Sequence, residues 1–236
     1  MKTLYLIQCE NYPIFQQLQL EEALLRTDSR NFCLMNQGSS KAIVLGISCK
    51  PALHVNQALA VKDHIPIIQR FSGGGSVVVD SKTFFATYIF NKEDHPAKPF
   101  PEPILQWTGS IYEKALEIKN FSVRENDYVI ENTKCGGNAQ YIQKNRWLHH
   151  TTFLWDYEDE NMNYLLHPPK IPTYRKDRSH TDFLCRIKDF HPNREDLPKQ
   201  IEEELKNHFQ IKKISINDVL DTLKIDHRKS TRLIDL

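Results

Sequence analysis

The sequence predicts an α+β fold with a central mixed or antiparallel sheet and helices packed outside it. Strand-like runs outnumber helix-like ones, and they do not follow the regular strand–helix alternation of a parallel sheet. No internal repeat or low-complexity linker divides the chain. At 236 residues it is long enough for one large domain, or one domain with a small appendage, around a sizeable core.

Lys2 to Ile7 alternates well enough for a first strand. From Ile14 to Leu25, the positions Ile14, Phe15, Leu18, Leu20, Leu24 and Leu25 follow a helical period that leaves Glu21 and Glu22 outside. Asn31 to Met35 and Ala42 to Leu45 read as a strand pair around a polar turn, and Gly46 ends the second. A short helix over Val55 to Val61 leads to two β-branched runs, Ile65 to Ile68 and Val77 to Val79, whose glycine-rich link reads as a hairpin turn. Thr83 to Phe90, aromatic and β-branched, suits a central strand. The four prolines between Asp94 and Pro103 predict a loop, and Ile104 to Ile118 an amphipathic helix.

Phe121 to Arg124, Tyr128 to Glu131, Cys135 to Gln143 and Trp147 to Trp155 are four further strands. A long connection then holds Pro168, Pro169, Pro172 and the basic stretch Tyr174-Arg175-Lys176-Asp177-Arg178. Loops of this length commonly cover a site or are partly disordered. Leu197 to Phe209 is a helix with Ile201, Leu205 and Phe209 inward, and Ile216 to Leu223 is a shorter one. The basic tail His227 to Arg232 is expected to be loose.

Charged residues make up 26% of the chain with a net charge of +1, so nothing global points to nucleic acid or membrane. Five cysteines without paired spacing suit reduced thiols better than a disulfide framework or a zinc site. The apolar run Thr3 to Ile7 is too short for a signal peptide, and no stretch approaches the ~20 apolar residues of a membrane span. These features predict a cytoplasmic chain with no nucleic-acid or membrane partner.

Three consecutive glycines cost backbone entropy, so Gly73, Gly74 and Gly75 suggest that something approaches the main chain closely. With Arg70 and Ser72 beside them, that visitor would carry a carboxylate or phosphate. A tight hairpin with an incidental arginine is the plain alternative. The spacing fits neither a Walker A loop nor the Gly-x-Gly-x-x-Gly of a dinucleotide fold. Asn132 to Gln140 repeats the chemistry, with Lys134 supplying the charge beside Gly136 and Gly137. Five of the eight glycines fall in these two stretches, which favours one shared ligand over two unrelated turns.

Arg70-Phe71-Ser72-Gly73-Gly74-Gly75-Ser76-Val77-Val78-Val79-Asp80 is similar to the Arg-x-Ser-Gly-Gly-Gly-x-Val-x-x-Asp signature of the lipoate–protein ligase A family, part of the biotin and lipoate ligase fold group. Thr133 to Ala139 resembles that family's Lys-x-x-Gly-x-Ala loop, and His149-His150-Thr151-Thr152-Phe153-Leu154 follows at the family's spacing. The resemblance runs from about Ile14 to Leu184. It implies a biotin/lipoate ligase-like catalytic domain that uses ATP and magnesium to convert lipoic acid to lipoyl-AMP. The acyl group would then pass to a lysine of a lipoyl acceptor domain, in a 2-oxoacid dehydrogenase complex or the glycine cleavage H protein. A separate accessory subunit is a further implied partner.

By the same resemblance Lys134 would be catalytic, and Arg70, Ser72, Gly73, Gly74, Gly75 and His150 would bind the acyl substrate. Ser76, Val77, Asn126, Asp127, Lys134, Gly137 and Ala139 would bind ATP, with Asp127 a magnesium ligand. Arg175-Lys176-Asp177-Arg178 is a candidate patch for steering an acidic acceptor, with a solvated loop as its alternative. Residues 1–190 would be the catalytic domain and 191–236 a short helical extension, in place of the full accessory domain that many such ligases carry.

The chain also departs from the family pattern. Val79 stands where the family commonly has His, and Asp80-Ser81-Lys82-Thr83 lacks the Asn that follows the Asp. Two other readings stay open. One is an octanoyl or lipoyl acyltransferase of the same fold, for which Cys135 adjoins Lys134 but should point away from the pocket. The other is a non-catalytic lipoate-binding protein.

Overall fold

The alternation of apolar residues along the strand-like runs becomes two sheets in the computed structural model, which describes residues 1–169 and 171–235. β1 (Thr3–Glu10) leads into α1 (Ile14–Thr27), followed by β2 (Phe32–Gln37) and β3 (Ala42–Leu45). Two short helices, α2 (Pro51–His54) and α3 (Gln57–Lys62), precede β4 (Ile67–Gln69), β5 (Ser76–Val79) and β6 (Thr83–Asn91). After α4 (Pro101–Leu116) come β7 (Phe121–Arg124), β8 (Asp127–Ile130), β9 (Thr133–Ile142) and β10 (Arg146–Leu154). α5 (His180–Phe183), α6 (Leu197–Lys206), β11 (Gln210–Lys213) and β12 (Arg232–Ile234) follow, with 3-10 turns between them.

Eight strands form one sheet in the order β11-β1-β2-β6-β10-β9-β8-β7, and four form a second in the order β12-β4-β3-β5. β1 runs parallel to β2 and β11, and the other pairs of the large sheet are antiparallel, as the predicted α+β class requires. β6 lies inside this sheet and alternates its side chains between two cores. Phe84, Tyr88 and Phe90 pack under α4 and α6 with Tyr112, Ile201, Leu205 and Phe209. On the opposite face Ile89 joins Leu20, Leu24 and Leu25 of α1. Among the described residues no helix is long and apolar enough to cross a membrane.

Several expectations are corrected by long-range pairing. β2 and β3 are not partners: β2 belongs to the large sheet and β3 to the small one, so the polar turn carries the chain between sheets. β4 and β5 do not form a hairpin either, because β3 lies between them. The glycine-rich link therefore crosses the end of β3. Glu21 and Glu22, expected outside, are buried. Glu22 accepts the backbone N–H groups of Ser230 and Thr231, and Glu21 serves the site described below.

The proline loop is shorter than predicted, since Pro101 and Pro103 sit in the first turn of α4, where a missing N–H costs nothing. The tail expected to be loose pairs with β4 through β12, and Arg232 donates to Gln69. Residues 191–236 thus contribute α6 and also one strand to each sheet.

Candidate active site

Where the glycine loop crosses β3, the backbones touch. A Cβ on Gly46 would lie 2.1 Å from the Gly74 carbonyl oxygen, so only glycine fits there. Gly74 itself takes φ +91°, a left-handed conformation that favours glycine. The loop's carbonyls turn toward the protein. Ile47 N–H donates to Ser72 O at 2.9 Å and Gly46 N–H to Gly75 O at 3.0 Å. The Arg70 guanidinium donates to Gly73 O at 2.6 Å, and the Cys49 thiol to Gly74 O at 3.4 Å.

None of the three glycine N–H groups has a protein acceptor among the described residues. A Cβ on Gly73 or Gly75 would meet nothing within 4 Å. With its carbonyls bonded and its amides without a protein acceptor among the described residues, the loop has backbone donors to offer an anion. Arg70 is buried beside it, with no carboxylate in ion-pair range among the described residues, and burial lowers its pKa to about 10. A buried guanidinium without a counter-ion is costly, and a bound carboxylate or phosphate supplies one.

The second cluster lies within a strand, β9, rather than a loop. A bulge opposite Tyr128 and Val129 makes Cys135 the extra residue of the β8–β9 pair. Cys135 turns into the core, and burial holds its thiol well above the ordinary range. Lys134 turns the other way and places Nζ 2.7 Å from Asp127 Oδ1. A Cβ on Gly137 would stand 3.2 Å from that ammonium, so glycine leaves room for the lysine to lie across the strand. The Tyr174 hydroxyl donates to Asp127 Oδ2 at 2.9 Å.

From β10, His150 joins two distant elements. Its Nε2 lies 2.8 Å from Ser72 Oγ and its Nδ1 2.9 Å from Glu21 Oε2. Thr87 and Gln17 donate to Glu21 Oε1 at 2.7 and 2.8 Å. This chain of bonds fixes the imidazole and spares Glu21 the full cost of a buried, unpartnered carboxylate. The neighbouring His149 is different: it is fully buried against Tyr128 and Thr108, and burial lowers its pKa to about 3.

A single cavity of about 810 Å³ gathers both clusters. Arg70, Gly73, Gly74, Gly75, Ser76, Val77, Asn126, Asp127, Lys134, Gly137, Ala139 and His150 all line it. Ser72 does not; fully buried, it supports His150 from behind. Ile14, Leu18, Val44, Val79 and Phe85 give the cavity an apolar stretch beside the polar Gln17, Glu21 and Thr87. Val79 is part of that wall. Asp80 lies outside the cavity, holding the turn at Lys82 and the side chain of Asn161, so the departure at 80–83 falls largely beyond the site.

Among the lining residues not read as such from the sequence are Glu21, Cys49 and His180, together with Arg175, which was expected in a surface patch. Glu21 was hidden by the helical pattern, and the other three belong to no glycine cluster. Asp127, the expected magnesium ligand, accepts from the Lys134 ammonium 2.7 Å away on one carboxylate oxygen and from the Tyr174 hydroxyl on the other. No group of three or more metal-ligating side chains forms elsewhere among the described residues.

Residues 13–210 match the family model described as the lipoyl protein ligase A/B catalytic domain. A Plasmodium falciparum protein named inactive lipoate–protein ligase 2 is 30% identical over 78% of this chain, which spans 63% of that relative's length. Among solved structures, a lipoate-protein ligase A bound with ATP superposes with a TM-score of 0.76 at 14% identity, covering 94% of this chain and 92% of the other. A bi-partite lipoate protein ligase of Thermoplasma acidophilum, described with its E2 lipoyl domain, gives 0.73 at 16% identity, covering 94% and 90%. These two likenesses establish a shared fold.

Proposed function

The chain belongs to the lipoyl protein ligase A/B catalytic-domain family, and from that premise we propose that it activates lipoate with ATP and transfers the lipoyl group to a lysine of a lipoyl acceptor domain. The observation that carries the reading is the pairing of the loop amides at Gly73–Gly75 with Lys134 in one cavity. Adenylation makes a bond from a lipoate carboxylate oxygen to the α-phosphorus and breaks the bond to pyrophosphate. Both reactants are anionic. The free loop amides and Arg70 neutralise one, and Lys134 stands where negative charge accumulates on the other. Such preorganised donors in a water-poor cavity commonly supply the largest share of rate enhancement.

In the second step the acceptor's amine attacks the acyl carbonyl and AMP leaves, so no nucleophile of this chain is needed. Asp127 keeps the Lys134 ammonium in place through both steps. The apolar wall of Ile14, Leu18, Val44, Val79 and Phe85 suits the hydrocarbon part of the acid. All the cavity residues lie between positions 14 and 184, which supports assigning catalysis to residues 1–190. Residues 191–236 then brace the two sheets. Magnesium, in this reading, comes with the nucleotide phosphates and not from a protein-built site.

The decisive experiment incubates the protein with lipoate and ATP–magnesium and follows pyrophosphate release and lipoyl-AMP by mass spectrometry. A purified lipoyl domain is then added and its mass recorded. Lipoate binding without pyrophosphate release would replace the ligase reading with that of a lipoate-binding protein. The relative named as inactive is the specific observation that favours this second reading.

A further inference from the structure

Arg175 was expected on the surface, in a patch that meets the acceptor. It is instead 3% exposed and lines the cavity. Its Nε donates to the Arg178 carbonyl at 3.1 Å, while Nη2 is buried with no partner. The guanidinium lies over the Phe183 ring, 4.9 Å from its centroid. No carboxylate is within ion-pair range of Arg175 among the described residues.

The carboxylates of this region are committed elsewhere. Asp127 holds Lys134 and Tyr174. Glu125 accepts the backbone N–H groups of Thr173 and Tyr174, each at 3.1 Å. These bonds, with Arg178 donating to the Tyr174 and Asn132 carbonyls, anchor the segment on both sides of Arg175. The guanidinium is therefore held in place rather than free to reach water. His180, also in the cavity wall, has its pKa lowered to about 4 by burial and by the positive charges of Arg175, His167 and Lys134. Two cations, Lys134 and Arg175, thus stand at this end of the cavity, and while Lys134 pairs with Asp127, Arg175 has no direct ion-pair partner among the described residues.

Resting on the function proposed above, we propose that Arg175 is a phosphate-binding residue that takes an oxygen of the nucleotide's polyphosphate beside Lys134. A buried guanidinium suits this task because its planar fork can present two donors to one phosphate. The unpartnered Nη2 is the donor that becomes satisfied. Arg70 and the glycine loop then remain for the carboxylate end of the acid, which divides the two anionic ligands between two arginines.

The test is titration calorimetry of wild type, Arg175→Gln and Arg175→Lys with ATP, with inorganic pyrophosphate and with lipoate, alongside a thermal melt of each. Arg175→Gln should weaken ATP and pyrophosphate at least ~10-fold, the loss of about one charge-assisted bond, and leave lipoate affinity unchanged. Arg175→Lys, which keeps the charge if the glutamine variant fails to fold, should lose part of the phosphate affinity. Wild-type phosphate affinity in either folded variant overturns the inference. So does an equal loss for lipoate, which marks a structural role, and so does a wild-type protein that binds neither phosphate ligand. The ligase reading fails differently: phosphate binding that depends on Arg175, with no lipoyl-AMP formed, removes the activity and leaves the assignment.

Discussion

The Lys134 ammonium and the Asp127 carboxylate lie 2.7 Å apart on neighbouring strands. Because Asp127 is buried and also accepts from Tyr174, the pair is both a device of the site and a piece of the fold. The two functions separate by mutation.

Lys134→Ala should reduce lipoyl-AMP formation by about 10²–10³-fold, the scale of losing one preorganised donor. It should also lower Tm by several degrees, since a half-satisfied buried carboxylate costs about 1–3 kcal/mol. Adding Asp127→Asn to that variant should restore most of the stability and none of the rate. Stopped-flow pyrophosphate release and calorimetric melting read the two effects. If the double variant regained activity, the ammonium would have no direct role.

The cysteines discriminate against a thioester route. Cys135 is buried in the core, and Cys49, not singled out in the sequence, is the cysteine in the cavity wall among the described residues. Cys49→Ser, Cys135→Ser and Cys185→Ser should each keep lipoyl transfer within about threefold, a loss of less than ~1 kcal/mol in barrier. Intact-mass spectra taken during turnover should show no hydroxylamine-labile adduct. An adduct that vanishes in the Cys49 variant would establish an acyltransferase instead.

The class of fold and the position of both glycine clusters were legible because they depend on short-range pattern. Thr83 to Phe90 reads as a central strand from its own residues, and Lys134 stands out beside glycines. What was not legible depends on partners far along the chain. Glu21 looks solvated on a helical wheel and is buried because Thr87 and His150 supply its bonds. β2 and β3 look like a hairpin, but β6 takes one and β4 with β5 the other. The Arg175 stretch reads as a charged surface because composition carries no information about the cavity into which Glu125 and Asp127 draw its backbone and tyrosine.

Besides His180 in the cavity wall, two histidines of the core predict acid sensitivity. Burial lowers His95 to about 4 and His149 to about 3, against ~6.5 in an unfolded chain. Between those values the unfolded chain binds protons that the folded one does not. Stability is therefore fully present above about pH 6.5 and falls as the pH drops through this window, by about 1.4 kcal/mol per pH unit for each histidine. Urea midpoints at pH 7.5, 6.5, 5.5 and 4.5 should decline progressively, and His149→Gln should flatten the decline. A midpoint independent of pH would show that neither ring is held neutral by the fold.

The four glycines at the loop make the sharpest separation of fold from function. Gly46 and Gly74 are needed by the fold, one because the Gly74 carbonyl would lie 2.1 Å from its Cβ, the other because of its φ of +91°. Alanine at either should destabilise the protein by about 1–3 kcal/mol. Gly73 and Gly75 have open space where a methyl group would stand and no positive φ, so the fold gives no reason for glycine there. Alanine at these two positions should leave Tm unchanged or raise it slightly, by about 0.4–1 kcal/mol of reduced unfolded-state entropy. The same methyl groups would project where a ligand must approach the free amides, so lipoate affinity should fall by about tenfold or more, the cost of one lost hydrogen bond to a charged group. Calorimetric titration beside a thermal melt measures both quantities on one sample. If Gly73→Ala and Gly75→Ala bound lipoate as tightly as wild type, the loop would not hold the anion, and the acid would have to lie elsewhere in the cavity.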